Sequence, residues 1–341
     1  MKSTLLTFLM LAAYGASAGR ALGAEAGEPY NRHAAMKKFT RLTSIPHPAD
    51  NAPSAERELL GRTLFFDPRL SGSGWISCAS CHNPALSWGD GLPRAIGDGM
   101  KVLGRRTPTV LNLAWAELLF WDGRADSLEA QALGPIEAAG EMNMPLEKML
   151  SVVQDIDGYR ELFARGYPGE PIGKATVAKA LANFERTLVS GQSPFDRWIA
   201  GDESAISGEA KTGFDVFNTK GKCASCHEGW SFTDHGFHDI GVANDDLGRG
   251  KLLKLEAMQH AFKTPTLRNC AHRAPYLHDG SEATIEDVVE FYDRGGRAQR
   301  PSLAPDIQKL HLTAGEKRAL VQFLRTLTSN DPPVIVPVLP R

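Results

Sequence analysis

Apolar residues recur at helical spacing in several separate stretches of this 341-residue chain. Between 55 and 66, Leu59, Leu60, Leu64 and Phe65 fall toward one side of a helix, because positions three and four apart share a face. The stretch 207–217 reads the same way, with Ser207 placed to cap its start. Further helices are expected at 128–138, 146–153, 174–190, 285–292 and 314–327. The last begins with Thr313 and Glu316 in capping-box spacing and should bury Leu320, Phe323, Leu324 and Leu327. Period-two alternation rarely exceeds four residues, so little sheet is expected and the fold class is mainly α. Long Gly- and Pro-rich tracts at 83–108 and 230–251 are loops of the kind that wrap a cofactor.

At the N-terminus, Lys2, an apolar run over 5–18 and small residues up to Ala24 form the pattern of a secretory signal peptide, 1–24. That run is too short to span a membrane, and no later stretch approaches about 18 apolar residues, so a soluble exported protein is expected. The remaining chain is long enough for two domains, 25–195 and 196–341. Their boundary falls within 190–207, which contains Gly191, Pro194 and Gly201. A net charge of −2 argues against a nucleic-acid partner.

The chemistry sits in a repeated pentapeptide. Cys78-Ala-Ser-Cys81-His82 recurs as Cys223-Ala-Ser-Cys226-His227, and C-x-x-C-H is the attachment signature of c-type haem. Two thiols three positions apart can form thioethers with one porphyrin, and the adjacent histidine reaches its iron. A zinc site would need four ligands close together, and a redox dithiol has no use for the histidine. Two covalently bound haem c groups follow, held by these four cysteines, with His82 and His227 as iron ligands. Each motif is preceded by a helix and a short turn, so two cytochrome-c-like domains are expected. Export and haem c together point to the periplasm. The fifth cysteine, Cys270, has no partner left for a disulfide and reads as a small buried apolar residue.

Between the motifs lie Phe120-Trp121-Asp122-Gly123-Arg124-Ala125, Gln131, Gly134-Pro135 and Glu141-Met142. After the second motif come Phe237-His238-Asp239-Ile240-Gly241, Thr264-Pro265-Thr266-Leu267-Arg268-Asn269 and Ala274-Pro275-Tyr276-Leu277-His278-Asp279-Gly280. This ordered set resembles the bacterial dihaem cytochrome c peroxidase family, which includes MauG, the enzyme that matures the tryptophan-derived quinone of methylamine dehydrogenase. The resemblance spans about Leu59 to Leu327. It implies that hydrogen peroxide reacts at the N-terminal haem, on His82, while the C-terminal haem, on His227, relays electrons. It also implies that Trp121 lies between the haems and that Gln131, Pro135 and Glu141 line the distal pocket. Glu141 is then the acid/base that moves a proton between the peroxide oxygens. Gln131 would hydrogen-bond peroxide or water, and Pro135 would limit the pocket's volume. Taken alone, Trp121 reads as a core aromatic, and Glu141 and Gln131 as solvated surface residues.

Departures from the family pattern bear on the subtype. No histidine occurs between His82 and His227, so the blocking ligand of ordinary family members is missing and an open first iron is expected. At the sixth-ligand position of the second haem, the alignment places Tyr292 rather than methionine. By periodicity Tyr292 is a core aromatic beside Ile285, Val288 and Val289, and Met258, His260, His272 and His278 are rival ligands. A phenolate donor would stabilise the ferric state. The resemblance also implies calcium between the haems, yet Arg106 stands where an asparagine ligand is expected and Arg273 at a companion carbonyl position. Backbone carbonyls could still hold a hard cation, but the arginine replaces an oxygen ligand with a positive charge and argues against calcium. Finally, Gly221 occupies the place of a tryptophan that MauG uses for electron transfer.

Two functions are therefore expected to compete. In the first, peroxide oxidises the haem pair, which withdraws electrons from tryptophan or tyrosine of a partner protein such as a methylamine dehydrogenase precursor. In the second, peroxide is removed with electrons from a cytochrome c or a cupredoxin. A plain electron-transfer cytochrome would have no need of an open iron beside a carboxylate.

Overall fold

Side-chain caps start most of the helices that apolar spacing marks out. The computed structural model describes residues 29–341, so the expected signal peptide lies outside the described residues. In order, the helices are α1 (Arg32–Lys37), α2 (Ala55–Phe66), α3 (Cys78–Cys81), α4 (Leu128–Glu137), α5 (Leu146–Asp155), α6 (Asp157–Gly166), α7 (Lys174–Thr187), α8 (Pro194–Ile199), α9 (Gly208–Asn218), α10 (Gly248–Leu253), α11 (Ile285–Asp293) and α12 (Ala314–Arg325). Ser54, Ser127, Ser193, Ser207, Thr284 and Thr313 each accept a first-turn backbone N–H, satisfying donors that a helix start leaves open. Among the described residues the only sheet is the antiparallel pair β1 (Phe237–His238) and β2 (Phe262–Lys263).

The seven helices expected from spacing are present, with ends shifted by a few residues. The α7 helix stops at Thr187 rather than 190, because the chain beyond it pairs with Asn112 instead. The Leu188 carbonyl accepts from the Asn112 backbone, and the Ser190 N–H donates to Asn112 Oδ1 at 3.0 Å. Helices α1, α3, α6, α8 and α10 are additional. In α6 only Tyr159 and Phe163 mark a buried stripe among charged residues, too few to announce a helix. On α12, Leu320 and Phe323 are buried, with Leu327 just beyond, whereas Leu324 is half-buried. Cys270 is buried and its Sγ faces the Leu324 carbonyl at 3.5 Å.

Residues Arg32–Arg341 form one unit with two large apolar clusters. The first joins Leu60, Leu64, Phe65, Trp88, Ile136, Met149, Tyr159, Val177, Leu181 and Phe184. In the second are Phe195, Trp198, Phe214, Phe217, Phe232, Val289, Leu320 and Phe323. The chain ends cross over between them. Met36 and Phe39, at the start, pack into the second cluster, where the Phe39 ring stacks 4.7 Å from that of Phe232. Val334, near the other end, packs on the first cluster, and Arg69 Nη1 donates to the Pro340 carbonyl at 3.0 Å.

Each cluster is built on one close helix crossing, α2 on α7 and α9 on α12. At the crossing points Gly61 faces the Ala180 carbonyl and the Phe184 Cβ, and Gly213 faces the Ala319 carbonyl and the Phe323 Cβ. A Cβ on either glycine would overlap the facing carbonyl. The first helix of each pair leads directly into a C-x-x-C-H motif, so the same crossing delivers both motifs to their cores.

Candidate active site

Both motif histidines are oriented by the backbone that follows them. His82 Nδ1 lies 3.3 Å from the Trp88 carbonyl, and His227 Nδ1 lies 2.9 Å from the Phe232 carbonyl. Trp88 and Phe232 both hold left-handed backbone, with φ of 63° and 55°, an uncommon conformation for a large side chain. A carbonyl acceptor fixes the proton on Nδ1 and leaves the Nε2 lone pair for a metal, the usual outer-sphere arrangement of a ligating histidine. Burial lowers the pKa of both imidazoles, which keeps them in the neutral form a metal requires.

The first motif opens on a cavity of about 790 Å³, within the range of cofactor sites. Its walls carry Cys78, Cys81, His82, Trp121, Gln131, Pro135 and Glu141 together. Gln131 and Pro135 sit one turn apart on α4, and Pro135 has no N–H to return to the Gln131 carbonyl. Glu141 follows in the turn after α4, where its backbone N–H donates to the Ala138 carbonyl and its own carbonyl accepts from Asp98. Burial raises the Glu141 carboxyl above its ordinary pKa, against the opposing charge of Arg124. The same carboxylate is within electrostatic reach of both Cys78 and Cys81. These donors fit haem: a large cavity, paired thiols, an oriented imidazole and a polar group set apart from it. Burial pushes the Cys81 thiol up to about 11, so without a bound partner it rests as the thiol rather than the thiolate.

Trp121 is half-buried on the same wall, and its Nε1 donates to the Arg106 carbonyl at 2.9 Å. Its own carbonyl accepts from Lys263 N at 2.8 Å, tying it to β2. The loop around it is clamped from the later part of the chain. Arg105 pairs with Asp122 at 2.8 Å and bidentately with Asp246 at 2.7 and 2.9 Å. Arg249 Nη1 donates to the Asp122 carbonyl at 2.9 Å. A ring so anchored is positioned by both parts of the sequence and has little freedom to turn.

Around the second motif, Cys223, Cys226, His227 and Tyr292 are all half-buried. Burial raises the Tyr292 pKa, and the charges of Cys226 and Cys223 add to the effect, so this phenol lies in the electrostatic reach of both thiols. The rival ligands are placed differently. His278 is buried, stacks on Phe262 at 3.6 Å and accepts from Asn244 Nδ2 at 3.0 Å. His260 Nδ1 lies 2.9 Å from the Asp246 carbonyl, and His272 is exposed. Met258 is half-buried at the end of a single 3₁₀ turn. Gly221 packs so closely that a Cβ would lie 2.8 Å from the Val216 carbonyl and 3.3 Å from Cys223 Sγ, so any larger residue there would require this turn to shift.

One cavity residue had no signal in the sequence. Glu185, on α7, is 5 % exposed, faces the cavity, and has no hydrogen-bond partner for Oε2. Burial pushes its carboxyl up to about 8. In the run Phe184-Glu185-Arg186 it resembles any solvated helix charge, and only the packing of α7 turns it inward.

A mainly helical frame presenting two C-x-x-C-H motifs, one of them on a cavity that a buried carboxyl also lines, defines a haem-dependent oxidoreductase of the peroxidase type. A family model described as di-haem cytochrome c peroxidase matches residues 55–204. The methylamine utilization protein MauG of Methylorubrum extorquens is 51% identical over 312 residues, covering 90% of this chain and 88% of that protein. The chain belongs to the di-haem cytochrome c peroxidase family and is a MauG-like member of it. A cytochrome c551 peroxidase of Nitrosomonas europaea is 38% identical over 297 residues, covering 85% and 84%. Among solved structures, a MauG-like protein associated with microbial copper homeostasis superposes with a TM-score of 0.78 at 31% identity, covering 85% of this chain and 94% of that one.

Proposed function

We propose that this protein reduces hydrogen peroxide at an N-terminal haem c bound through Cys78, Cys81 and His82, and oxidises tryptophan or tyrosine side chains of a partner protein. A second haem c would be held through Cys223, Cys226 and His227, with Tyr292 as a further iron ligand. The two haems belong to cytochrome-c-like domains, 25–195 and 196–341, of a periplasmic protein. The observation that carries the reading is the joint placement of His82, Gln131, Pro135 and Glu141 on one cavity, in a chain with no histidine between His82 and His227 to close it.

When bound, haem supplies an iron at which peroxide accepts electrons. Glu141 takes a proton from one peroxide oxygen and delivers it to the departing one, for which its raised pKa suits it. Gln131 holds the incoming peroxide or water by hydrogen bonding, and Pro135 limits the space beside it. Reduction of one peroxide to two waters consumes two electrons and two protons, and the partner's side chains supply the electrons. Trp121, anchored between Arg106 and Lys263, is the group through which the two haem sites communicate.

The relative named for methylamine utilization points to a methylamine dehydrogenase precursor as partner. A second reading, peroxide removal with electrons from a cytochrome c or cupredoxin, has the support of the cytochrome c551 peroxidase relative and of Gly221, which denies the chain a surface tryptophan at that site. Stoichiometric peroxide, added to the purified protein with either a precursor dehydrogenase or a reduced small cytochrome, separates them. Quinone formation in the first mixture supports the proposal. Rapid oxidation of the cytochrome without quinone formation replaces it with the second reading.

A further inference from the structure

Two arginines are buried side by side next to Trp121. Arg106 is 8 % and Arg273 9 % exposed, and both face the cavity. Arg106 Nη2 donates to the Arg273 carbonyl at 2.8 Å. The Arg273 guanidinium is turned away and donates through Nη2 to the carbonyls of Thr266 and Arg268 at 2.6 and 2.8 Å. Among the described residues neither arginine forms an ion pair with a carboxylate, and Arg106 Nε has no partner at all. Burial and the neighbouring Arg273 charge lower the Arg106 pKa to about 10, which leaves it protonated at neutral pH.

Calcium, which the family resemblance implies here, does not fit these residues. Calcium needs six to eight oxygen ligands, and what sits on the Arg273 carbonyl is the Arg106 guanidinium, a cation with donors and no acceptor. A dication would also add to two neighbouring buried positive charges, of which Arg106 has only the longer-range Asp90 charge to offset it. The one His/Cys/Asp/Glu cluster with metal-ligand spacing among the described residues, Cys226, Asp234 and His238, does not include this junction. We propose that the Arg106 guanidinium is the resident cation of the junction, replacing calcium, and that it positions Trp121 through the same residue's carbonyl. Its open Nε edge is suited to a carboxylate arriving with bound haem, a part that rests on the haem reading above.

The charge has a consequence beyond packing. A cation near a haem favours the electron-richer state, so its loss lowers the midpoint potential. The haem-loaded protein, prepared without chelators, should contain substoichiometric calcium by elemental analysis, and EGTA should leave its absorption spectrum and Tm unchanged. R106Q should lower the midpoint potential of at least one haem, and R106K should restore most of the difference. One calcium per chain whose removal by EGTA alters the haem spectrum overturns the proposal, as does an R106Q protein with wild-type potentials. Should R106Q fail to fold, calcium content and EGTA response of the wild type still decide. Haem content measured on the same samples separates failure of this proposal from failure of the haem reading.

Discussion

Gly61 lies directly against the Ala180 carbonyl, and Gly213 repeats that relationship with Ala319. These are the points where the helix before each haem motif meets the helix that closes its core. Gly61→Ala and Gly213→Ala force the crossing helices apart, and each should cost about 1–3 kcal/mol or more. Gly208, with nothing within 4 Å of a Cβ, is the control: Gly208→Ala should leave stability nearly unchanged. Thermal melts of the three haem-loaded variants check this, and equal Tm values would remove the crossing from the argument.

Tyr292→Phe removes the proposed oxygen ligand while keeping the ring that packs 5.2 Å from Phe291. The ferric protein should show one high-spin and one low-spin haem by electron paramagnetic resonance, and the substitution should change only the low-spin signal. An unaltered low-spin signal would pass the ligand role to another side chain.

Glu141→Gln abolishes proton transfer without altering shape, and should slow the reaction with peroxide by on the order of 100- to 10,000-fold. In the proposed role the working base is the ionised carboxylate, so the rate should fall as pH drops through its pKa. Because burial raises that pKa, the falling limb should lie above the ordinary glutamate range. Arg124 opposes the rise, so Arg124→Ala should move the limb to still higher pH. Stopped-flow rates across pH check both shifts, and the limb should vanish in Glu141→Gln.

Glu185 predicts a pH dependence of stability. Its folded pKa is raised from an ordinary 4.5 to about 8, so the native state holds a proton that the unfolded chain releases. Stability should therefore decline as pH rises through that window and level off above it. Glu185→Gln carries no such charge and should be the more stable protein at pH 8 but not at pH 4. Denaturant melts at the two pH values read this directly, and parallel behaviour of the two proteins would contradict it.

The sequence alone determined what is local. Helical spacing marked α2, α4, α5, α7, α9, α11 and α12, since their apolar faces repeat with the period of the helix itself. The pentapeptides at Cys78 and Cys223 carried the haem expectation by themselves, because the thioether formation and iron ligation they imply need only neighbouring residues. Packing between distant segments belonged to the tertiary structure. Nothing in the order of residues announces that Phe39 packs against Phe232, that Glu185 turns into a cavity, or that the Arg106 guanidinium reaches the Arg273 carbonyl. A charged residue is solvated by default. Only the shape of what surrounds it determines which charges are buried, and that shape is assembled from side chains far apart in the chain.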